Sequence, residues 1–515
     1  MELSHAIGPT TPPLIEQTIG ENLRQTVARH GGREALVACH QGIRWTYLEL
    51  DQHVDQLARA LLALGLEKGD RVGIWSPNYA EWVLVQLATA RIGVILVTLN
   101  PAYRTHEVAF ALDQSGCRML VAAPSFKTSD YRAMVDEVRG DLATLETVVY
   151  FWSPEWEALW QPENWATAEA LAEREAGLDR NDPVNIQYTS GTTGFPKGAT
   201  LSHRNILNNG YFVGARCDYT EADRVCLPVP FYHCFGMVMG NLGCTTYGAC
   251  MVIPSDAFEP GAVLEACQRE RCTSLYGVPT MFIAELGHPD FDRYDLESLR
   301  TGIMAGSPCP VEVMKQCVDR MHMSAVTICY GMTETSPVST QTEATDSLDH
   351  RTSTVGRVHP HVEIKIVDPE SGETVPRGVT GEFCTRGYSV MSGYWEDPER
   401  TAEAIDGEGF MHTGDLATMD ADDYVNIVGR SKDMVIRGGE NVYPREVEEF
   451  LYGHPAVQDV QVIGVPDPRY GEELMACVVL REGAAATEED LREFCRGRIA
   501  HYKVPRYVKF VESFP

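Results

Sequence analysis

Tyr188-Thr-Ser-Gly-Thr-Thr-Gly-Phe-Pro-Lys197-Gly198 decides how the rest of the chain reads, because seven of its eleven residues are Thr, Ser or Gly and a lysine stands near its end. Glycines let a backbone turn sharply and bring its N–H groups up to a ligand. Thr189, Ser190, Thr192 and Thr193 add hydroxyl donors, Gly191 and Gly194 add freedom, and Lys197 adds a full positive charge. Such a loop can cradle a polyphosphate. It is not a Walker A loop, which needs G-x-x-x-x-G-K-[ST]; here Pro196 precedes the lysine and Gly198 follows it. Taken alone, the stretch also suits a flexible surface loop.

With 515 residues, the chain has room for two or more domains with large cores. Its 44% hydrophobic and 23% charged residues are the balance of a soluble enzyme. The 43 basic and 73 acidic residues give a net charge of −30, which argues against nucleic acid or an anionic membrane surface as the main partner. An anionic substrate would then depend on local cations. The 15 cysteines are scattered singly, with no C-x-x-C pair and no Cys/His metal spacing. Cys226, Cys250 and Cys477 lie in apolar runs, which predicts buried free thiols and a reducing, cytoplasmic compartment, or a mitochondrial matrix in a eukaryote. The opening Met1-Glu-Leu-Ser-His-Ala6 predicts no secretory leader. Residues 82–99 are broken by Gln86 and Arg91, so no membrane span is expected.

Residues 1–20 are rich in Pro and Thr and are expected to wrap loosely on a surface. From Glu21 helix-like and strand-like segments alternate: a helix over 48–65, strands over 71–75 and 94–97 with a helix over 81–90 between them, and further strands over 119–122, 147–150, 250–253 and 326–329. That alternation predicts an α/β fold of layered, mostly parallel sheets. Period-two alternation over 361–368, a turn, and a second run over 381–386 predict an antiparallel hairpin in a small β-rich subdomain over about residues 340–429. A boundary falls near 429–433, so residues 1–429 form a large domain, 430–433 a hinge and 434–515 a small α+β domain, with strands over 459–463 and 476–480 and a helix over 487–499.

Three more stretches carry chemistry. Tyr330-Gly331-Met-Thr333-Glu334 follows an apolar strand, where open α/β sheets gather ligands. Its hydroxyl and carboxylate suit a phosphate and a magnesium ion, and equally a polar strand-end turn. Asp415, in His412-Thr-Gly-Asp415, can accept a ribose diol or close an Asx turn. The run from Gly429 through Arg430 and Lys432 to Gly438-Gly439-Glu440 is either a charged linker or a hinge that brings charge to a ligand. Pro230-Phe-Tyr-His-Cys-Phe-Gly-Met237 suits core packing and a pocket wall alike.

In this order and at these separations, the stretches resemble the adenylate-forming superfamily of acyl- and aryl-CoA synthetases, luciferase and peptide-synthetase adenylation domains. Gly393-Tyr-Trp, Thr401 and the run after Gly429 match as well, and the likeness covers the chain from about residue 20 onward. Tyr232-His-Cys and His501-Tyr-Lys-Val-Pro look most like medium-chain fatty-acid–CoA ligases. The resemblance implies ATP, Mg2+ and coenzyme A, and two steps, carboxylate adenylation followed by thioester formation. It places the ATP phosphates on Thr189, Ser190, Gly191, Thr192, Thr193, Gly194 and Lys197, the α-phosphate on Thr333 and the metal on Glu334. Adenine falls to Tyr330, Gly331, Gly306 and Ser307, and the ribose to Asp415 and Arg430. The hinge is Lys432, the CoA tunnel Gly438, Gly439 and Glu440, and the acyl pocket His233, Met237 and Val278.

The family's C-terminal Ser-Gly-Lys segment has no counterpart before Pro515, so the chain as given is expected to adenylate poorly, by about 10²–10³ if one charge at the transition state is missing. Rival readings are an aryl-CoA ligase or another adenylating enzyme, and a nucleotide-binding protein without turnover. Chain length of the acid and oligomeric state, a homodimer included, are not encoded in any motif.

Overall fold

The computed structural model describes residues 2–189, 196–307, 309–430, 433–437, 440–467, 470–496, 498–499 and 501–514, with the backbone alone at 436, 440, 441 and 471. The α/β reading holds: among the described residues two large, mainly parallel sheets share a core, with two five-stranded sheets and one two-stranded ribbon beside them.

The seven-stranded sheet runs, in spatial order, Gly393–Tyr394, Lys197–Ser202, Pro183–Thr189, Ile95–Leu99, Arg71–Trp75, Met119–Ala122 and Thr147–Tyr150. Its last five strands are parallel and read as short apolar runs because both faces are covered. The nine-stranded sheet is parallel through Ala325–Gly331, Thr301–Met304, Ser274–Gly277, Arg224–Cys226, Cys250–Ile253 and Glu34–Ala38. Helix Ala80–Arg91 is buried along every residue, as an element apolar all round must be. Its one cation, Arg91, is neutralised by Asp51. Helix Tyr47–Ala63 starts at a capping box, Thr46 and Glu49 satisfying each other's backbone N–H groups, and buries the stripe Leu50, Val54, Leu57, Leu61.

The predicted hairpin is present: Val362–Val367 pairs antiparallel with Gly381–Gly387, followed by Met411–Met419 and Val425–Arg430. Two expectations are corrected around it. The N-terminal segment does not lie loosely, since His5–Ile7 adds an edge strand beside Val362–Val367, with His5 opposite Lys365. The β-rich sheet also begins later than residue 340. Val338–Gln341 and Arg357–Val358 extend the nine-stranded sheet instead, because an antiparallel edge strand has the same sequence texture whichever sheet it joins.

Beyond residue 433, strands Val457–Asp467 and Gly471–Leu480 form a long antiparallel pair, flanked by Val435–Arg437, Glu440–Val442 and Tyr507–Phe510. Helix Pro444–Tyr452 starts with proline at its first turn and buries Val447 and Leu451. The last helix, Glu488–Cys495, is shorter than the expected 487–499. Ile499 packs on the same core after the helix has ended, so the apolar spacing overran the backbone. Cys226 and Cys250 are buried as expected, whereas Cys477 is only partly so. Among the described residues no helix is long and apolar enough to cross a membrane.

Candidate active site

Strands Pro183–Thr189 and Lys197–Ser202 are the two arms of a hairpin, with Thr189 directly opposite Lys197. Thr189 and Lys197 therefore stand at the mouth of the connection 190–195, and Ser190, Gly191, Thr192, Thr193 and Gly194 lie outside the described residues. Strand Ala325–Gly331 ends beside them in a single 3-10 turn, Thr333–Thr335. Gly331 makes that turn possible: a Cβ there would sit 1.7 Å from the Pro337 carbonyl oxygen.

The turn buries Thr333 and Glu334. Glu334 Oε1 accepts the Thr189 hydroxyl at 3.2 Å and the Tyr394 hydroxyl at 2.9 Å. Both bonds end on one oxygen, so Oε2 keeps lone pairs for a hard cation such as magnesium, which favours carboxylate oxygen. Tyr394 arrives on the edge strand Gly393–Tyr394, opposite Ala199. Gly393 holds a φ of 142° against Thr401, whose Oγ1 accepts the Tyr394 N–H at 2.9 Å. The Lys197 ammonium lies 4.9 Å over the Tyr394 ring, close enough for a cation–π contact. A cation, a carboxylate and hydroxyls thus converge at the hairpin mouth.

A second group forms where the β-rich sheet approaches the end of Ala325–Gly331. Asp415 and Arg430 are cross-strand partners, and Arg430 Nε lies 3.3 Å from Asp415 Oδ1. The Tyr330 hydroxyl donates to Asp415 Oδ2 at 2.6 Å, and its ring meets Phe383 edge-on at 5.0 Å between centroids. Burial lifts the Asp415 carboxyl above its ordinary pKa, against the opposing pull of Tyr330 and Arg430. Burial and the neighbouring Asp415 push the Tyr330 phenol well up, so it remains a donor. Glu382 sets the turn that presents Asp415: its Oε1 accepts Gly414 N–H at 2.9 Å and its Oε2 bonds His412 Nδ1 at 2.9 Å.

The third group is apolar. Residues 235–242 form an eight-residue π-helix, Phe235–Leu242, buried throughout. π-Helical turns are rare and are frequent at functional sites. Met237 is in the core, its sulfur taking Gln187 Nε2 at 3.0 Å. His233 Nδ1 accepts Phe235 N–H at 3.1 Å. That side chain is accessible to water yet ringed by protein, the situation of a group on a cleft wall, and the partial desolvation lowers its pKa. Val278 closes on Gly306, where a Cβ would be 3.1 Å from Val278 Cγ1, while Gly306 and Ser307 are exposed. Cys234 ties this wall to the first group: burial, and then the Glu334 charge, raise its thiol.

Of the residues predicted from sequence, Thr189, Lys197 and Glu334 therefore meet at the hairpin mouth beside Thr333, Tyr330 meets Asp415 and Arg430, and the acyl-wall candidate Val278 meets the adenine candidate Gly306. Lys432, Gly438 and Gly439 lie outside the described residues, and Glu440 is described only in its backbone, opposite Arg437. Tyr394, Gln187 and Glu382 carry no role in the sequence reading. Only Tyr394 had a signal there, its place in the Gly393-Tyr-Trp motif.

This architecture and these groups are those of an AMP-binding enzyme, and the chain belongs to that family: the AMP-binding enzyme model matches residues 23–395 and the AMP-binding enzyme C-terminal domain matches 446–515. YngI of Bacillus subtilis (strain 168) is 48% identical over 98% of this chain and 95% of its own. The zebrafish (Danio rerio) mitochondrial medium-chain acyl-CoA ligase ACSF2 is 45% identical over 99% of this chain and 88% of its own. Among solved structures, the anthranilate CoA ligase AuaEII in complex with anthranoyl-AMP superposes with a TM-score of 0.86 at 27% identity, covering 98% of this chain and 95% of that one. ATP-bound MatB from Rhodopseudomonas palustris gives 0.83 at 30%, covering 97% and 96%.

Proposed function

We propose that this enzyme joins a medium-chain fatty acid to coenzyme A at the expense of ATP. A carboxylate oxygen attacks the α-phosphorus, the bond to the β-phosphate breaks and pyrophosphate leaves. The CoA sulfur then attacks the acyl carbonyl, losing its proton, and AMP departs. The observation that carries the reading is the convergence on Glu334 of the Thr189 and Tyr394 hydroxyls, with Lys197 over the same tyrosine.

In this reading Thr189, Lys197 and the 190–195 connection hold the β- and γ-phosphates, and Thr333 touches the α-phosphate. Glu334 holds magnesium, which when bound neutralises phosphate charge. Asp415, steadied by Tyr330 and Arg430, takes the ribose hydroxyls, and adenine lies along Tyr330, Gly331, Gly306 and Ser307. His233, Met237 and Val278 form the acyl wall. These roles position groups and stabilise charge, which is where most of nucleotidyl-transfer catalysis comes from. Residues 1–429 form the main body and 434–515 a lobe that turns about Lys432, so that the loop carrying Gly438, Gly439 and Glu440 lines the path of the pantetheine arm. The medium-chain ligase relatives support the acid class. The anthranilate CoA ligase neighbour supports a second reading, an aryl acid in the same pocket.

The test is a panel of acids from acetate to palmitate, with benzoate and anthranilate, supplied with ATP, Mg2+ and CoA. Acyl-CoA is read by mass spectrometry and nucleotide products by chromatography. One AMP per thioester and a maximum at middle chain lengths are expected. ADP as product, or thioesters from aryl acids alone, would contradict the proposal.

A further inference from the structure

Cys226 lies 41 residues before Cys267 and 46 before Cys272, yet the three sulfurs all lie within 4.8 Å of one another and all three residues are buried. The backbone explains the meeting. Helix Pro260–Arg269 ends in a Schellman turn: Arg271 takes a left-handed φ of 49°, its N–H bonds Gln268 O at 3.3 Å, and Cys272 N–H bonds Cys267 O at 3.0 Å. That turn folds Cys272 back against Cys267, where other helix ends place an apolar contact. The chain then enters Ser274–Gly277, which runs parallel beside Arg224–Cys226 with Cys226 opposite Leu275, and the third sulfur is delivered from the neighbouring strand.

Three buried thiols this close form a compact set of soft ligands. Among the described residues no His, Asp or Glu joins the three sulfurs. Structural zinc takes four ligands and magnesium or calcium take oxygen, so neither fits a buried set of three thiols. Soft thiolates select Cu(I), zinc or iron–sulfur clusters, and of these zinc and the clusters call for four protein ligands. Arg224, Glu270 and Arg271, within two residues of these cysteines in sequence, line a surface cavity of about 700 Å3.

We infer that Cys226, Cys267 and Cys272 form a binding site for one thiophilic ion of low coordination number, Cu(I), separate from the adenylating site. Binding displaces S–H protons, so the apparent affinity rises with pH. Clamping helix Pro260–Arg269 to strands Arg224–Cys226 and Ser274–Gly277 also stabilises the sheet that continues into Tyr232-His233 and Val278.

Anaerobic titration of the full chain with Cu(I), in competition with bathocuproine disulfonate, tests the site. The parent protein is expected to retain one equivalent that Cys226→Ser, Cys267→Ser and Cys272→Ser each lose. Cys317→Ser, a buried thiol outside the trio, should keep it. Copper K-edge absorption on the unsubstituted protein, which needs no variant to fold, should show three sulfur scatterers and no nitrogen or oxygen. Copper retained equally by the triple serine variant, no equivalent held against the competitor, or nitrogen or oxygen in the coordination shell would each overturn the inference.

Discussion

Glu334→Gln separates charge from shape at the centre of the site. Glutamine preserves the oxygen that accepts the Thr189 and Tyr394 hydroxyls at 3.2 and 2.9 Å, but removes the negative charge proposed to hold magnesium. Hydrogen bonds to a charged group are worth about 1.5–3 kcal/mol and neutral ones about 0.5–1.5, so the two weakened bonds cost the fold about 2–3 kcal/mol. Relief from burying a carboxylate offsets part of that. The catalytic loss should be larger. Removing one preorganised charge-stabilising group typically costs about 10²–10³ in rate, or about 2.7–4 kcal/mol. Tyr394→Phe is the matched control, since it removes one donor to Oε1 and leaves the carboxylate charged. Acyl-CoA formation followed against magnesium concentration, with thermal unfolding alongside, discriminates between them. For Glu334→Gln, turnover should fall by the stated factor and half-saturation by magnesium should move upward. Tyr394→Phe should lose less and keep the parent's magnesium dependence. If Glu334→Gln kept the parent's rate and magnesium curve, or if both variants shifted that curve equally, the assignment of the metal to Glu334 would be wrong.

Asp415→Asn should weaken ATP binding by about 1.5–3 kcal/mol, the worth of hydrogen bonds to a charged acceptor, while leaving affinity for the acyl chain unchanged; calorimetry with ATP and with fatty acid reads the two separately. Gly331→Ala should disable the site and destabilise the fold by about 1–3 kcal/mol or more, because its Cβ would lie 1.7 Å from a backbone carbonyl that cannot move aside as a side chain can. Burial pushes Glu448, which accepts Val462 N–H at 2.8 Å, up to about 7. Between the unfolded carboxylate value near 4.5 and that folded value the native state holds the extra proton, so this group makes stability fall as pH rises through the window and level off above it. Glu448→Gln should flatten that slope, by up to about 3 kcal/mol, in chemical denaturation followed from pH 5 to about 8.

The parts of the fold that depend on short-range pattern were legible. The strands at 119–122, 147–150 and 250–253 coincide with their apolar runs, since a strand covered on both faces has nothing else to show. The hairpin of Val362–Val367 and Gly381–Gly387 announced itself through period-two alternation and a turn. Strand His5–Ile7 did not, because three residues in a Pro-rich segment carry no period and owe their form to the edge they join. The π-helix was equally hidden, as a continuous apolar run such as 235–242 does not distinguish one helical pitch from another. In the candidate site, motif chemistry marked Thr189, Lys197, Glu334 and Asp415 but left each open to a plain structural reading, and the family resemblance singled them out. Tyr394 could not be given a role, because its partner Glu334 is 60 residues away and the pairing exists only after the edge strand docks. The cysteine trio shows the same limit: a Schellman turn and a strand register bring the sulfurs together, and neither leaves a spacing signature.

The most direct test of the account is transfer from a preformed intermediate. The protein is mixed with CoA and a series of acyl adenylates from acetyl to palmitoyl, and each acyl-CoA is quantified by mass spectrometry against a protein-free control. The account predicts thioesters with AMP released in equal amount, enriched at middle chain lengths. No thioester above the control at any chain length would contradict it.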